Sequence, residues 1–277
     1  MFSCGWTLEA AEEICSDESI NKNKILELLT GLTEKSIIIY DESRERYKLI
    51  ETIKKYGREK LKNENVIISK HLDYFSTLVQ KALPELKGDN IKLWLDIFEA
   101  DHNNFLSAIE WGVKNKEVEK GAIIADALGK LWEIRGQYTT GIRIIENILH
   151  KQVELSKDTK ANLLNLSGNL HRYQGNYDSA RKFFEESMTI KKEIGDKQGI
   201  STAIINLGTL AFSQGDFEPA KKFFEESMAI KWELGDKMGI AGSMNNLGGL
   251  AFTQGEYEHA KKFYMESLAI RKESGDK

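Results

Sequence analysis

The sequence predicts a mainly α-helical protein whose C-terminal half is a solenoid of repeated helix pairs. Three blocks of the chain align at a period of 40 residues from Ala161 onward. Only two prolines occur among the 277 residues, so few positions interrupt a helix. A block of this length that forms two helices cannot bury its apolar side alone, and the stacking of neighbouring blocks produces a solenoid.

Composition and charge exclude several classes of protein. The chain carries 39 Lys and Arg against 43 Asp and Glu, which gives no electrostatic reason to expect nucleic acid or an anionic membrane as the main partner. No apolar run approaches the roughly 18 residues that span a bilayer. The N-terminus lacks the basic and apolar regions of a signal peptide. We therefore expect a cytoplasmic protein, with Cys4 and Cys15 as free thiols, although a disulfide between them stays open.

Residues 1–62 are predicted to fold differently from the repeats. Thr7 is expected to cap the first helix. The other predicted elements are a helix over 24–32, strands over 35–40 and 46–50 around a polar turn, and a further helix over 51–61. The order of two helices and a hairpin is that of a winged-helix domain.

Each 40-residue block is predicted to form two antiparallel helices. The first helix of the middle block ends at Gln214-Gly215, where the glycine permits the positive φ of a tight turn. Asp216 is expected to cap the second helix, and Gly235-Asp236 to end it. Gly208 on the first helix and Ala220 on the second are small where the paired helices must approach each other.

These blocks resemble the tetratricopeptide repeat in a 40-residue form. A degenerate fourth copy, one residue shorter, is predicted upstream around Leu128 and Gly136. With it, the array of four helix pairs covers residues 121–277. The positions of the middle block that carry the resemblance are Leu207, Gly208, Ala211, Gly215, Phe217, Ala220, Phe224 and Ser227.

The concave face of the array is predicted to bind a protein or peptide, because first helices line that face in stacked repeats. Asparagines there can bond both the N–H and the C=O of an extended backbone, and exposed phenylalanines can hold an apolar side chain. The alternative is that the asparagines satisfy neighbouring turns and the phenylalanines pack between repeats. The predicted groove residues are Asn165, Asn169, Arg172, Asn206, Thr209, Phe212, Asn245, Asn246 and Phe252.

Residues 2–111 are similar to the winged-helix region and helical connector of STAND-type regulatory ATPases of bacteria and archaea. The connector would cover residues 63–120. The matching segments are 2–12, 28–36, 47–57, 94–95, 99–105 and 108–111.

The resemblance implies that an ATPase domain precedes the winged helix and that the repeats sense or bind a partner. No Gly-x-x-x-x-Gly-Lys-Ser/Thr occurs in the chain, so no nucleotide or other cofactor is expected. An ATPase domain would then act on the repeats in cis or in trans. The first winged-helix residues of the family are missing before Met1, and we expect a fragment or a split gene product.

Three functions follow from these patterns. The leading hypothesis is an interaction module that forms the sensor part of a STAND-type signalling protein. The second is a transcriptional regulator whose winged helix contacts DNA. Residues 1–62 hold 11 Lys and Arg against 12 Asp and Glu, which argues against DNA. The third is an enzyme, but the five histidines are scattered and neither a catalytic residue nor a metal site is predicted.

Overall fold

The computed structural model describes residues 2–60, 64–87, 90–151 and 154–274. These residues form fourteen α-helices and one two-stranded sheet. The predicted mainly α-helical class is confirmed. Contacts divide the chain into two compact units: unit 1 consists of Met1–Arg135 and Glu146–Glu154, and unit 2 of Gly136–Ile145 and Leu155–Lys277.

Unit 1 begins with two helices and a hairpin, as predicted. The hydroxyl of Thr7 accepts a hydrogen bond from the Ala10 amide at 3.2 Å and so caps the first helix. The elements of unit 1 are α1 (Leu8–Cys15), α2 (Lys22–Glu34), β1 (Ile38–Asp41), β2 (Arg46–Leu49), α3 (Glu51–Lys60), α4 (Glu64–Ala82), a 3-10 turn (Glu85–Lys87), α5 (Ile91–Ala100), α6 (His102–Lys114) and α7 (Val118–Arg135).

The segment before α1 extends the hairpin. Trp6 and Tyr47 exchange two backbone hydrogen bonds of 2.9 and 2.8 Å, so that Trp6 forms a bridge beside β2. Their rings stack with centroids 6.3 Å apart. Cys4 and Cys15 are both free thiols, as expected. Burial raises the pKa of Cys15 to about 11, which leaves it a poor nucleophile.

A buried ion pair connects the hairpin to α6. The Arg46 guanidinium donates two hydrogen bonds to the Asp101 carboxylate, of 2.9 and 2.5 Å, and one of 3.1 Å to the Gly5 carbonyl. Asn104 donates to the same carboxylate at 2.7 Å and to the same carbonyl at 2.8 Å. The carboxylate thus has the partners that a buried charge requires.

Unit 2 is periodic. Three helix pairs follow one another at the predicted 40-residue spacing, and each pair turns at a glycine with positive φ, as at Gly175, Gly215 and Gly255. Helix α8 (Tyr138–Leu149) is divided between the two units. The three pairs are α9 (Lys157–Tyr173) with α10 (Tyr177–Glu193), α11 (Lys197–Gln214) with α12 (Phe217–Leu234), and α13 (Lys237–Thr253) with α14 (Tyr257–Glu273).

The predicted close approach of paired helices is confirmed at their glycines. A Cβ on Gly208 would lie 2.7 Å from the Phe224 ring, and a Cβ on Gly248 would lie 2.8 Å from the Tyr264 ring. Real Cβ atoms do not approach a ring so closely, so only glycine lets the aromatic side chain lie flat on the first helix. The repeat thus conserves space as well as apolar character.

The predicted cap at Asp216 is wrong. Asp216 occupies the N-cap of α12, but its side chain makes no cap hydrogen bond. An N-cap carboxylate accepts from the second or third helical amide, and the third position of α12 is Pro219, which has no N–H. The capping aspartates are Asp196 and Asp236, which accept from the amides of Gly199 and Gly239 at 2.9 and 2.8 Å.

Candidate functional site

The candidate site is the side of the first helices α9, α11 and α13 that carries a row of polar side chains. We call it the first-helix face. Its amides and its hydroxyl are half-buried apart from Asn245, which is exposed. The residues that define the first-helix face are Asn165, Asn169, Asn206, Thr209, Asn245 and Asn246.

One amide pair connects two repeats across the first-helix face. The Nδ2 group of Asn206 on α11 donates to Oδ1 of Asn165 on α9 at 2.7 Å. This bond orders both side chains and uses one of the two N–H groups of Asn206. Its carbonyl oxygen and second N–H make no other hydrogen bond within the described part of the chain.

The third repeat differs because Ile205 stands where Asn165 stands one period earlier, so Asn246 has no amide partner on α11. In the described residues, neither Asn245 nor Asn246 makes a side-chain hydrogen bond. Each side chain therefore presents two donors and one acceptor. The arrangement can bind a backbone N–H and C=O at the same time.

Two further predicted residues have more limited capacity. The Thr209 hydroxyl donates to the Ile205 carbonyl of its own helix at 2.9 Å, which leaves only its lone pairs to accept a bond. The Arg172 guanidinium lies 4.3 Å from the centroid of the Tyr173 ring, and its Nε is buried with no hydrogen-bond partner. The ring fixes the position of this positive charge.

The expectation that Phe212 is exposed is wrong. Its ring lies 5.9 Å from that of Phe217 and packs on a buried cluster that includes Phe224 and Leu247. Phe252 is exposed, but it lies 5.5 Å from Tyr257 and lines an apolar concavity at α14. Both phenylalanines occupy the side of the repeat on which a following repeat packs.

The cluster of Glu99, Asp101 and His102 in unit 1 performs no joint chemistry. Asp101 binds Arg46, Glu99 pairs with Arg135, and the ring nitrogen of His102 accepts from the Trp132 indole at 3.3 Å. The interpretation of this cluster as a polar connector face is wrong for Asp101, which is buried because Arg46 neutralises it. No group of three or more potential metal ligands occurs in the described ranges.

Comparison with known proteins identifies the periodic part of the chain. Family models described as "Tetratricopeptide repeat" match residues 159–231 and 240–274. Residues 159–231 and 240–274 are tetratricopeptide repeats. Such repeats are protein-interaction modules, and no catalytic family is indicated. Among the described helices, none combines the length and the apolar character needed to cross a membrane.

A curated relative in Mycobacterium tuberculosis is 26% identical over 155 residues, which cover 54% of this chain and 18% of the relative. It is named as a candidate HTH-type transcriptional regulator, and a Mycobacterium bovis relative matches to the same degree. The chain thus spans about a fifth of the length of the curated relatives it matches.

Two solved structures illustrate the fold. A STAND protein with a tetratricopeptide repeat sensor from Pyrococcus horikoshii has a TM-score of 0.53 at 15% identity, over 99% of this chain and 43% of that one. The Rap conjugation gene regulator of the plasmid pLS20, in complex with the Phr* peptide, has a TM-score of 0.57 at 16% identity, over 78% of this chain and 57% of that one. At these identities the likeness shows the fold alone.

Proposed function

We propose that the first-helix face binds an extended segment of a partner protein, mainly through the partner's backbone. The observation that carries this proposal is the set of unpaired amides on α11 and α13 beside the ordered pair Asn165–Asn206. An amide recognises a peptide group because it offers a donor and an acceptor side by side. Recognition of this kind requires no charged ligand. The Rap regulator, whose structure contains a bound peptide, supports the proposal by its similar fold.

The predicted groove narrows in this proposal. Asn165, Asn169, Asn206, Asn245 and Asn246 provide backbone bonds, while Thr209 accepts and Arg172 adds a fixed positive charge. Phe212 and Phe252 leave the groove because they lie on the packing side of the repeats. An amide-lined surface without exposed aromatic rings suits a polar, extended segment rather than a helical one.

We propose that this binding forms the non-enzymatic sensor part of a STAND-type signalling protein in the cytoplasm. Residues 1–62 would serve as the winged-helix domain, 63–120 as the connector and 121–277 as the sensor. An ATPase domain in cis or in trans would receive the signal. Support comes from the two helices and hairpin of unit 1 and from the fold shared with the Pyrococcus horikoshii protein over 99% of this chain.

A peptide-display selection on the full chain tests the binding proposal. Loss of the Asn206 amide should weaken selected peptides about five- to thirty-fold, because one or two backbone bonds of about 1 kcal/mol each disappear. Asn206→Ala is compared with Glu226→Ala, which removes an exposed side chain from the second helix α12. Circular dichroism checks that both variants keep the parent helicity. Peptides that bind both variants as tightly as the parent chain would exclude the first-helix face.

A second candidate is DNA binding through α2, favoured by the name of the mycobacterial relatives. The exposed side of α2 includes Leu26 and Leu28, each about half exposed, together with Glu27. DNA-binding helices present a basic surface to the phosphates. Binding of the chain to mixed duplex DNA, with an affinity that falls steeply as salt rises, would favour this candidate over the peptide proposal.

A further inference from the structure

We infer that the free side of α14 docks an amphipathic helix of a partner protein, of the type that the array uses as its own first helices. We call this surface the α14 face and define it by Tyr257, Ala260, Tyr264 and Leu268, with Met265 at its rim. It is separate from the first-helix face.

The repeat itself shows what such a face packs against. On α10, Ala180 and Phe184 stand 80 residues before Ala260 and Tyr264, and they pack on Leu207 of α11. Leu210 completes this cluster. On α12, Ala220 and Phe224 pack in the same way on Leu247 and Leu250 of α13. A face of this composition is therefore complementary to a helix with two leucines three residues apart.

The α14 face is open to solvent. Phe184 and Phe224 are 0% and 3% exposed, whereas the equivalent Tyr264 is 38% exposed. Tyr257 and Leu268 are 64% and 51% exposed. They line a concavity of about 410 Å³ with Phe252. Contiguous apolar surface of this kind marks an interaction site.

The sequence of α14 adds a second observation. Glu185 and Glu225 occupy the rim of the equivalent faces, but the third repeat has Met265 at this position, 61% exposed. A bare end of a repeat array requires a polar surface to remain soluble. The change from Glu to Met extends the apolar surface instead, as expected for a face that a partner covers.

A second copy of this chain cannot supply the complementary helix. The leucines that perform this role, Leu207, Leu210, Leu247 and Leu250, are at most 3% exposed in the folded array. A folded copy would have to open a repeat to present them. The occupant is therefore a helix of another protein, with aliphatic residues at positions i and i+3 facing the α14 face.

A peptide with the sequence of residues 197–214 is the probe, since this segment covers the equivalent face of α10. Isolated helices of this length are marginal in water. A lactam bridge therefore joins residues 198 and 202 in a peptide that carries Gln198→Lys and Thr202→Glu, at two positions exposed in α11. Fluorescence anisotropy follows its binding to the full chain. A peptide with Leu207→Asp and Leu210→Asp serves as the negative control.

Leu268→Glu should weaken the peptide at least about ten-fold, because it places a charge at the centre of the contact. Ala269→Glu adds the same charge one residue along, where Thr189 and Ala229 stay exposed beneath a stacked repeat, and should bind as the parent does. The absence of saturable binding, or equal losses from both variants, would overturn the proposal. A dimer in light scattering that Leu268→Glu converts to a monomer would also overturn it, since a second copy would then cover the face.

Discussion

Units 1 and 2 achieve stability in different ways. Unit 1 depends on contacts that occur once, such as the Arg46–Asp101 pair between residues 55 positions apart in the chain. Unit 2 repeats one contact, an aromatic ring on a glycine, at Gly168, Gly208 and Gly248. A unique contact concentrates its free energy in two residues. A periodic contact divides the free energy among equivalent neighbours, so each repeat tolerates local variation.

The largest effect is expected where the contact is unique. Arg46→Met removes the partner of a buried carboxylate and should lower the free energy of unfolding of unit 1 by about 3–5 kcal/mol. The fluorescence of Trp6, Trp94, Trp111 and Trp132 in a urea titration reports on this unit. Lys114→Met breaks the exposed pair with Glu110 and should change the free energy by less than about 0.5 kcal/mol. Similar effects of the two variants would show that the buried pair is not essential.

A smaller effect is expected in the periodic unit. Gly208→Ala forces a Cβ against the Phe224 ring and should cost about 1–3 kcal/mol. Gly242 is the control, because a Cβ there meets no atom within 4 Å. Gly242→Ala should stabilise α13 by up to about 1 kcal/mol through helix propensity. Thermal unfolding followed by circular dichroism measures both, and equal signs for the two substitutions would refute the packing argument.

Two equivalent lysines sharpen the comparison within unit 2. Burial acts to lower the pKa of Lys191, but hydrogen bonds from its ammonium group to Asp158 and Asp196, at 2.6 and 2.9 Å, raise it above the ordinary 10.5. Burial lowers the pKa of Lys231, whose closest acceptor is the Gly239 carbonyl at 3.3 Å. Lys191→Met should therefore cost about 1 kcal/mol, while Lys231→Met should be neutral or stabilising.

The pH dependence of stability should separate the same two lysines. The folded state holds the Lys231 proton less tightly than the unfolded state does, so its contribution to stability rises as the pH climbs toward 10.5. Lys191 contributes stability that is complete below 10.5 and is lost as the pH rises further. Denaturation midpoints at neutral pH and at about pH 10 should rise less in Lys231→Met than in the parent chain. An identical rise would contradict the assigned shift.

Periodicity explains why most of unit 2 was predictable from the sequence. The turn at Gly215 and the close approach at Gly208 follow from residue types that recur every 40 positions, and both are confirmed. The Asp216 cap was mispredicted because the pattern considered the acidic residue without Pro219 three positions later. The reading of Phe212 failed for a related reason, since which side of a helix packs on the next repeat depends on tertiary geometry.

Unit 1 was predictable only at the level of its elements. The helices and the hairpin follow from local patterns, but no local signal indicates that Arg46 reaches Asp101. The amide pair of Asn206 and Asn165 lies between these cases. Both residues were assigned to one face from their spacing, whereas the hydrogen bond between them follows from a 41-residue offset that only the stacked repeats reveal. Their role in binding remains a prediction.

Photo-crosslinking in living cells tests most directly whether the first-helix face contacts the partner. Photoreactive benzoylphenylalanine replaces Thr209 on the first-helix face in one version of the chain, and Ala229 on the exposed side of α12 in another. The account predicts crosslinked adducts at position 209 that an excess of a display-selected peptide suppresses, and no adduct at position 229. Adducts at position 229 alone, or at both positions to the same extent, would contradict it.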